Sequence, residues 1–309
     1  MPLLEISHLR KTFDDFVAVE DVSLHVNAGE IFGLVGPNGA GKTTTIRMLS
    51  GLLHPDAGQI RINGQPFNAS NWQDRAQLGV VPQELAVYPD LTALENLRFF
   101  AQLYGVHGAE MRRRIGQVLD ATALVEHADG LVKTFSGGMK RRLNFGVAML
   151  HKPKLLILDE PTVGVDPQSR SHLLDSVTKL GSDVGVIYTS HYMEEVESLC
   201  DRIAIMDHGK ILACGTQHDL LGDDQTLHFR IGSVTPHLSE ALRGLAEVEP
   251  PSNGEISVTL RTDRAELEGK VRRIMDALTQ FQGRLLSIST DETSLERLFL
   301  KLTGRRLRD

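Results

Sequence analysis

The 309-residue sequence has little cysteine and no long hydrophobic run, and each shortage narrows the classes of protein to consider. Its two cysteines, Cys200 and Cys214, lack the spacing of metal ligands, so we expect reduced thiols used in packing rather than a disulfide scaffold or a zinc site. No apolar run approaches the length of a membrane-spanning helix. We therefore expect that the chain does not by itself form a path across a bilayer.

The charge balance and the N-terminus give two further exclusions. With a net charge of −7, the chain lacks the basic excess of a general nucleic-acid-binding protein, and we expect no nucleic-acid partner. The N-terminus carries Glu5, His8, Arg10 and Lys11 instead of an apolar signal-peptide core. A chain of this length with 41% hydrophobic residues suits two compact domains in the cytoplasm.

The clearest positive feature is the segment GPNGAGKT at Gly36 to Thr43. The apolar run from Ile31 to Val35 predicts a buried strand before it, and Thr43 to Leu53 predicts a helix after it. The loop glycines let several backbone N–H groups converge at the helix N-terminus, where anions bind. Lys42 adds a positive charge for the β- and γ-phosphates, and the Thr43 hydroxyl can bind Mg²⁺. The segment therefore predicts a P-loop that binds nucleotide phosphates with Mg²⁺, but it does not by itself identify the P-loop family.

A second glycine loop, FSGGM, lies at Phe135 to Met139 and precedes a predicted helix from Met139 to about Leu150. A Ser-Gly-Gly loop that ends in a helix N-terminus is a second potential anion site in the same chain. The basic residues Lys140 to Arg142 fall in the first turns of this helix, where cations oppose the helix dipole. The sequence leaves open whether they face an anionic ligand, a partner surface or solvent.

Acidic and polar residues end two further apolar segments. Leu155 to Leu158 predicts a buried strand that ends in Asp159 and Glu160, and a metal ion would offset the desolvation of such carboxylates. We expect Asp159 to bind Mg²⁺, directly or through water, and Glu160 to orient and polarise the water that attacks the phosphate. Val184 to Tyr188 predicts the next parallel strand, which His191 follows. A lone histidine is usually structural, but this one ends the strand expected beside the site.

Taken in this order, the segments resemble those of the ATP-binding subunit of ABC transporters, over nearly the whole chain. The resemblance implies that Phe13 stacks on adenine, that Gln83 in VPQE is the Q-loop glutamine, and that His191 is the switch histidine. The nucleotide-binding residues that it implies are Phe13, Gly36, Pro37, Asn38, Gly39, Ala40, Gly41, Lys42, Thr43, Thr44, Ser136, Gly137, Gly138 and Asp166. The catalytic residues that it implies are Glu160, His191 and Gln83. The magnesium ligands that it implies are Thr43, Gln83 and Asp159.

The sequence departs from the pattern of this family at three positions. The signature loop, usually LSGGQ, has Phe135 and Met139 at its ends, while Ser136 to Gly138 are intact. Phosphate binding should therefore survive, but Met139 cannot make the hydrogen bonds of a glutamine. Forms with methionine are similar to those of drug- and lipid-exporter ATPases. In the D-loop, Val163 to Asp166, Val165 stands where leucine is usual.

The expected fold is α/β, a P-loop NTPase of the ABC type with a parallel-core sheet, an antiparallel β-subdomain and a helical insertion. Residues 1–225 form the predicted nucleotide domain, with the helical subdomain at about 84–135. Thr92 and Glu95 form a capping box that predicts the start of a helix in this insertion. Its apolar stripe is at least half core, and Tyr88, Pro89 and Leu91 are better candidates for a permease interface.

Residues 226–309 are predicted to form a small α+β domain. The order strand, helix, hairpin, helix, strand favours a ferredoxin-like fold. The ending SLERLFLKLTGRRLRD resembles the C-terminal extension of daunorubicin-resistance exporter ATPases. No catalytic constellation occurs there, so regulation or support of a dimer is the hypothesis for this domain.

The chain has one P-loop and one signature, with no internal repeat. In the family, the signature of one subunit closes over the nucleotide of another, so the resemblance implies a second nucleotide domain, most simply in a homodimer. It further implies an ATPase that energises an exporter with a separate integral membrane permease, peripheral on the inner face of the cell membrane. An importer ATPase is the first alternative. A soluble ABC ATPase that acts on ribosomes or DNA is the second.

Overall fold

The computed structural model describes residues 1–222, 224–250, 252, 254–291 and 294–304. The chain forms two compact units, one containing Met1–Thr216 and the other formed by Gln217–Lys301. The division falls before residue 225, where the sequence analysis places the domain boundary.

The first unit is built on one large sheet with helices packed against it. In chain order its strands are β1 (Leu4–Phe13), β2 (Phe16–Val26), β3 (Ile31–Val35), β4 (Ala57–Ile62), β5 (Gln65–Pro66), β6 (Leu78–Val81), β7 (Leu155–Asp159), β8 (Gly185–Thr189), β9 (Arg202–Asp207) and β10 (Lys210–Gly215). Its α-helices are α1 (Lys42–Leu49), α2 (Trp72–Arg75), α3 (Ala93–Leu103), α4 (Gly108–Ala121), α5 (Gly137–Met149), α6 (Pro167–Thr178) and α7 (Met193–Leu199). Short 3-10 turns occur at Val125–His127 and Val132–Thr134.

The sheet has the order β5-β4-β1-β2-β10-β9-β3-β8-β7-β6. Its core, β6-β7-β8-β3-β9, is parallel, whereas β1, β2, β4 and β5 pair antiparallel with one another. Every residue of β7 and β8 is buried, as expected for parallel strands covered on both faces. The carboxyl ends of β3, β7 and β8 meet at one edge, where ligands of such sheets bind. The predicted combination of parallel core and antiparallel subdomain is confirmed.

The helical insertion starts as its capping residues predict. The Thr92 side chain accepts a hydrogen bond from the Glu95 N–H at 3.1 Å, and the Glu95 carboxylate accepts one from the Thr92 N–H at 2.8 Å. The helices α3, α4 and α5 share an apolar core that includes Leu97, Ile115 and Leu143. The apolar stripe of α3 is therefore divided, because Leu97 packs in this core whereas Phe99 and Leu103 are exposed.

The second unit contains α8 (Gln217–Leu221), β11 (Asp224–Gly232), α9 (Pro236–Arg243), β12 (Glu247–Val248), β13 (Glu255–Asp263), α10 (Arg264–Gln280), β14 (Arg284–Asp291) and α11 (Leu295–Thr303). Its four-stranded sheet has the order β12-β13-β11-β14, and all of its strand pairs are antiparallel. The core between the sheet and its helices includes Phe229, Val258 and Ile274. One βαβ unit is β11-α9-β12 and the other is β13-α10-β14, and each places one strand between the two strands of the other. This is the predicted ferredoxin-like fold, which is confirmed.

The two cysteines are free thiols, in agreement with the sequence analysis, but only one of them is a packing residue. The Cys200 sulfur lies against Gly33 of β3, where an added Cβ would fall 3.0 Å from it. Cys214 is exposed, because it lies on the outward face of β10, so the packing prediction was wrong for this residue. Within the described ranges, no helix is both long and apolar enough to cross a membrane.

Candidate active site

The P-loop joins β3 to α1 and is pressed closely against neighbouring backbone. A Cβ at Gly36 would lie 2.3 Å from the Met206 carbonyl oxygen, and one at Gly41 would lie 2.4 Å from the Ala18 carbonyl oxygen. Gly41 also has a φ of 103°, a conformation that side chains disfavour. Only glycine fits at these two positions, because any side chain there would collide with the backbone of Met206 or Ala18.

The side chain of Lys42 is held inside this loop. Its Nζ donates hydrogen bonds to the carbonyl oxygens of Gly36 at 2.6 Å and Pro37 at 3.1 Å. Lys42 is only 6% exposed. Burial lowers the pKa of Lys42, and the charges of Glu160 and Asp159 oppose that shift. The loop therefore holds a poorly hydrated cation at the edge where a phosphate group can approach.

Glu160 is the first residue after β7 and has an unusual backbone conformation. Its φ is 49°, a left-handed value that costs about 1–3 kcal/mol in a non-glycine residue and persists where surrounding contacts enforce it. The Gln83 amide donates to Oε2 at 2.9 Å, and His191 Nε2 lies 2.5 Å from Oε1. The three predicted catalytic side chains therefore meet at one carboxylate.

The electrostatic surroundings keep the Glu160 carboxylate ionised. Burial by itself raises the pKa of this group, but the hydrogen bond and charge of His191, with the charges of Lys42 and Arg141, lower it by more. The net result is a pKa below the usual range. At neutral pH the group is then a hydrogen-bond acceptor that can polarise a water molecule.

Asp159 ends β7 beside Glu160 and is bound differently. Thr189, at the end of β8, donates its hydroxyl proton to Asp159 Oδ1 at 2.9 Å. The same hydroxyl oxygen accepts a hydrogen bond from the Glu160 N–H at 2.9 Å. Burial raises the pKa of Asp159, which the Thr189 hydrogen bond partly offsets. A buried carboxylate that burial disfavours in its charged form is one that a cation would stabilise.

A cavity of about 220 Å³ lies over these groups. Its lining residues come from the P-loop, the start of β2, the Q-loop and the strand ends. They are Phe16, Ala18, Asn38, Gly39, Ala40, Gly41, Lys42, Thr43, Thr44, Gln83, Glu160 and His191. This volume is below the usual 300–1,000 Å³ of a complete small-molecule site. A larger cavity of about 730 Å³ lies between α4, α5 and α6 and contains none of the predicted site residues.

The aromatic side chain in the lining is Phe16, which the sequence analysis did not single out. Phe13, the predicted adenine partner, pairs with Phe16 across the β1–β2 hairpin. Residues directly opposite in an antiparallel pair project to the same face, so the two rings flank the same side of the hairpin. Both rings are exposed, at 44% for Phe13 and 62% for Phe16. Phe13 and Phe16 flank the two-residue turn of this hairpin, and that sequence pattern could have identified Phe16.

The signature residues and Asp166 are absent from the cavity lining. Ser136 caps α5 by accepting a hydrogen bond from the Met139 N–H at 3.2 Å, and Asp166 caps α6 by accepting one from the Ser169 N–H at 2.9 Å. A Cβ at Gly138 would fall 2.1 Å from the Ser169 hydroxyl oxygen. The signature loop and the D-loop of one chain therefore pack against each other, apart from the P-loop cavity.

Two of the basic residues that follow the signature are used inside the chain. The Arg141 guanidinium donates to the carbonyl oxygen of Gln83, and that of Arg142 donates to the carbonyl oxygens of Thr122 at 2.8 Å and Ala123 at 3.2 Å. The sequence analysis considered an anionic ligand, a partner surface and solvent for these basic residues, but not carbonyl groups of the same chain. The sequence does not reveal such acceptors, because they belong to a loop and to a helix end that are distant along the chain. The first of these bonds joins the signature helix α5 to the Q-loop.

The predicted magnesium ligands offer oxygen atoms of the type that this ion prefers. The Thr43 hydroxyl and the Gln83 amide line the cavity, and Asp159 lies at the end of the adjacent strand. Within the described part of the chain, no cluster of three or more His, Cys, Asp or Glu side chains could bind a metal by itself. This donor set fits an ion that is bound by a few protein oxygens and by substrate phosphates.

Residues 19–163 of the chain match the family described as "ABC transporter". The chain is 45% identical over 311 residues to the linearmycin resistance ATP-binding protein LnrL of Bacillus subtilis, covering 99% of this chain and 100% of that protein. It is 37% identical to a Nod factor export ATP-binding protein I of Cupriavidus pinatubonensis (99% and 92% covered). It is 38% identical to the daunorubicin/doxorubicin resistance ATP-binding protein DrrA of Streptomyces peucetius (97% and 92% covered).

A solved structure described as an ATP binding subunit of an ABC transporter has the same fold as part of this chain. The two superpose with a TM-score of 0.65 at 34% sequence identity, over 71% of this chain and 91% of the other. The match to a resistance protein along the whole length, together with this superposition, bears out the resemblance on which the sequence analysis relies.

Proposed function

This chain belongs to the ATP-binding proteins of ABC transporters, which are ATPases, and from that premise we propose that it energises an exporter whose membrane permease is a separate polypeptide. The names of its relatives support export: one is a Nod factor export protein and two are named for resistance to linearmycin and to daunorubicin. The importer reading has no comparable support among these names.

The observation that carries the catalytic proposal is the Glu160 carboxylate at the cavity wall. Gln83 and His191 hold it from two sides, and the P-loop lysine lies across the same cavity. In the proposed reaction, Glu160 orients a water molecule for in-line attack on the γ-phosphorus of ATP and accepts its proton, and ADP leaves. Lys42 stabilises the charge of the transferred phosphoryl group.

The same cavity supports a magnesium site. Thr43, Gln83 and Asp159 are the residues proposed to hold the ion. When bound, Mg²⁺ neutralises charge on the β- and γ-phosphates. The protein groups then fix where the phosphates lie: the P-loop N–H groups and Lys42 bind the phosphate oxygens, and Thr189 keeps Asp159 at the strand end.

The incompleteness of the site in one chain supports a dimer. The cavity is small, and Ser136, Gly138 and Asp166 lie outside its lining. A second copy that placed its signature loop over the cavity would supply helix N-terminal N–H groups to the phosphates that the first copy binds. ATP would then favour the closed dimer, and hydrolysis would release it, a population shift between two states.

An exposed aromatic cluster beside the Q-loop supports a permease contact. Tyr88 is 47% exposed and packs edge-on against Phe99 with ring centroids 5.1 Å apart, and Leu103 is 64% exposed. Exposed apolar groups of this kind mark interaction surfaces. Asn96 bonds both the N–H and the C=O of Tyr88, so the cluster is tied to a fixed backbone. We propose this surface as the permease contact, on the inner face of the membrane.

The test of the transport proposal is affinity capture of Glu160→Gln from detergent-solubilised native membranes in the presence of ATP, with the recovered proteins identified by mass spectrometry. We expect a multi-spanning membrane protein in near-stoichiometric yield. Tyr88→Ala in the same background should reduce that yield, while Leu212→Ala, at an exposed position of β10 that belongs to none of the predicted sites, serves as the control for surface substitution. Recovery of soluble or ribosomal partners alone would show that transport is wrongly assigned.

A further inference from the structure

The helix α7 carries a buried carboxylate that the proposed mechanism does not use. Glu195 is only 2% exposed. Its Oε2 accepts hydrogen bonds from three hydroxyls, those of Tyr188 at 2.6 Å, Thr162 at 3.0 Å and Ser190. Its Oε1 pairs with Arg170 of α6. These four donors offset the cost of burying the carboxylate.

Two of these hydroxyls belong to the loops that carry the proposed catalytic pair. Thr162 lies just after Glu160 in the loop that follows β7, and Ser190 directly precedes His191 in the loop that follows β8. Both hydroxyl residues are 1% exposed. Glu195 therefore bridges the two loops whose separation sets the contact between His191 and Glu160.

The third hydroxyl, that of Tyr188, belongs to a strand rather than to a loop, so it can be compared with the other two. Tyr188 is part of β8, where backbone hydrogen bonds pair it with β3 and β7. Its main chain does not depend on the Glu195 contact. Burial and the charge of Glu195 raise the pKa of Tyr188, so its hydroxyl stays protonated and donates. Thr162 and Ser190 lie beyond the strand ends and lack such pairing.

We propose that Glu195 is a positioning residue for ATP hydrolysis, which holds the loops after β7 and β8 in register so that His191 meets the Glu160 carboxylate. This inference rests on the proposed roles of Glu160 and His191. The pair with Arg170 extends the arrangement to α6, the helix that starts at the D-loop. The Arg170 guanidinium also lies 3.9 Å from the centre of the Tyr192 ring. This cation–π contact gives the loop after β8, which contains His191 and Tyr192, a second link to α6.

The first test compares two adjacent glutamates of α7 in phosphate-release assays on the full chain. Glu195→Gln cannot accept from both Arg170 and the hydroxyls, because its NH₂ group only donates. We expect kcat to fall about 10- to 100-fold, the scale of a small misplacement of catalytic groups, with ATP affinity unchanged. Glu194→Gln, at an exposed position, should retain wild-type kcat.

Single-hydroxyl variants keep the test informative if Glu195→Gln does not fold. Thr162→Val and Ser190→Ala each remove one donor from a catalytic loop, and we expect both to lower kcat. Tyr188→Phe removes one donor from the same carboxylate oxygen but should leave kcat unchanged, because β8 holds its backbone. Equal effects of all three on kcat would overturn the inference and indicate a role in stability alone.

A double mutant distinguishes a positioning role of Glu195 from a general loss of structure. If Glu195 acts through His191, then Glu195→Gln in a His191→Ala background should cause little further loss of kcat. Multiplicative losses, or wild-type kcat in Glu195→Gln, would overturn the inference. A wild-type chain that binds ATP without hydrolysing it, with its captured permease present, would instead overturn the proposed function, so the two failures are distinguishable.

Discussion

Glu160→Gln is expected to bind ATP as the wild type does and to hydrolyse it about 10²–10⁴-fold more slowly, the scale of a lost general base. The amide keeps the size of the carboxylate, so the cavity keeps its shape, but a neutral amide cannot polarise water or accept its proton. The contacts from Gln83 and His191 converge on this one side chain. Phosphate release and nucleotide affinity, measured separately, check the two halves of the prediction.

Glu126→Gln is the matched control for this variant, because Glu126 is exposed and lies in a 3-10 turn of the helical insertion. It should hydrolyse ATP at the wild-type rate. Turnover of Glu160→Gln at the wild-type level would refute the assignment of this residue. A parallel loss of ATP affinity would mean that the substitution disturbs the P-loop rather than the attacking water.

Lys42→Ala is expected to weaken ATP binding itself by about 10- to 100-fold, since a hydrogen bond to a charged group contributes about 1.5–3 kcal/mol. The physical reason is that Lys42 is the cation within the P-loop and is nearly removed from water. Its present partners, the carbonyl oxygens of Gly36 and Pro37, are neutral. The phosphates would be charged acceptors for the same ammonium group. Equilibrium binding of a fluorescent ATP analogue measures the change.

Lys179→Ala supplies the comparison for charge removal, because Lys179 is exposed at the end of α6. It should bind the analogue as tightly as the wild type. If Lys42→Ala also matched the wild type, the ammonium group would have no part in nucleotide binding. The P-loop glycines and helix N-terminus would then account for affinity alone.

The sequence predicted the strand–loop–helix order of the site because its signals are local. Ile31–Val35 is observed as predicted, and the capping box of Thr92 is present. Glycine loops, apolar strands and helix caps each depend on neighbours within a few residues. The meeting of Glu160 with Gln83 and His191 followed from the resemblance and from the shared edge of a parallel sheet.

The features that the sequence did not reveal depend on contacts between distant segments. The Arg141 bond to Gln83 spans the helical insertion, and the carboxylate of Glu195 is surrounded by groups from β8, from α6 and from the loops after β7 and β8. The helical spacing of Glu195 and Leu199 puts Glu195 on the apolar face of α7 and leaves Glu194 exposed. The spacing does not show which hydroxyl and guanidinium groups meet the Glu195 carboxylate.

The tight fit between the signature loop and α6 has a consequence for the genetics of this gene. The main obstacle to a Cβ at Gly138 is the side chain of Ser169, whose hydroxyl oxygen and Cβ would lie 2.1 Å and 2.3 Å away, with Asp166 Oδ2 next at 3.1 Å. Ser169→Gly would remove both atoms and keep the N–H that Asp166 caps. A loss-of-function Gly138→Ala allele should therefore have an intragenic suppressor in Ser169→Gly, so that revertant screens connect two motifs that lie far apart in the sequence.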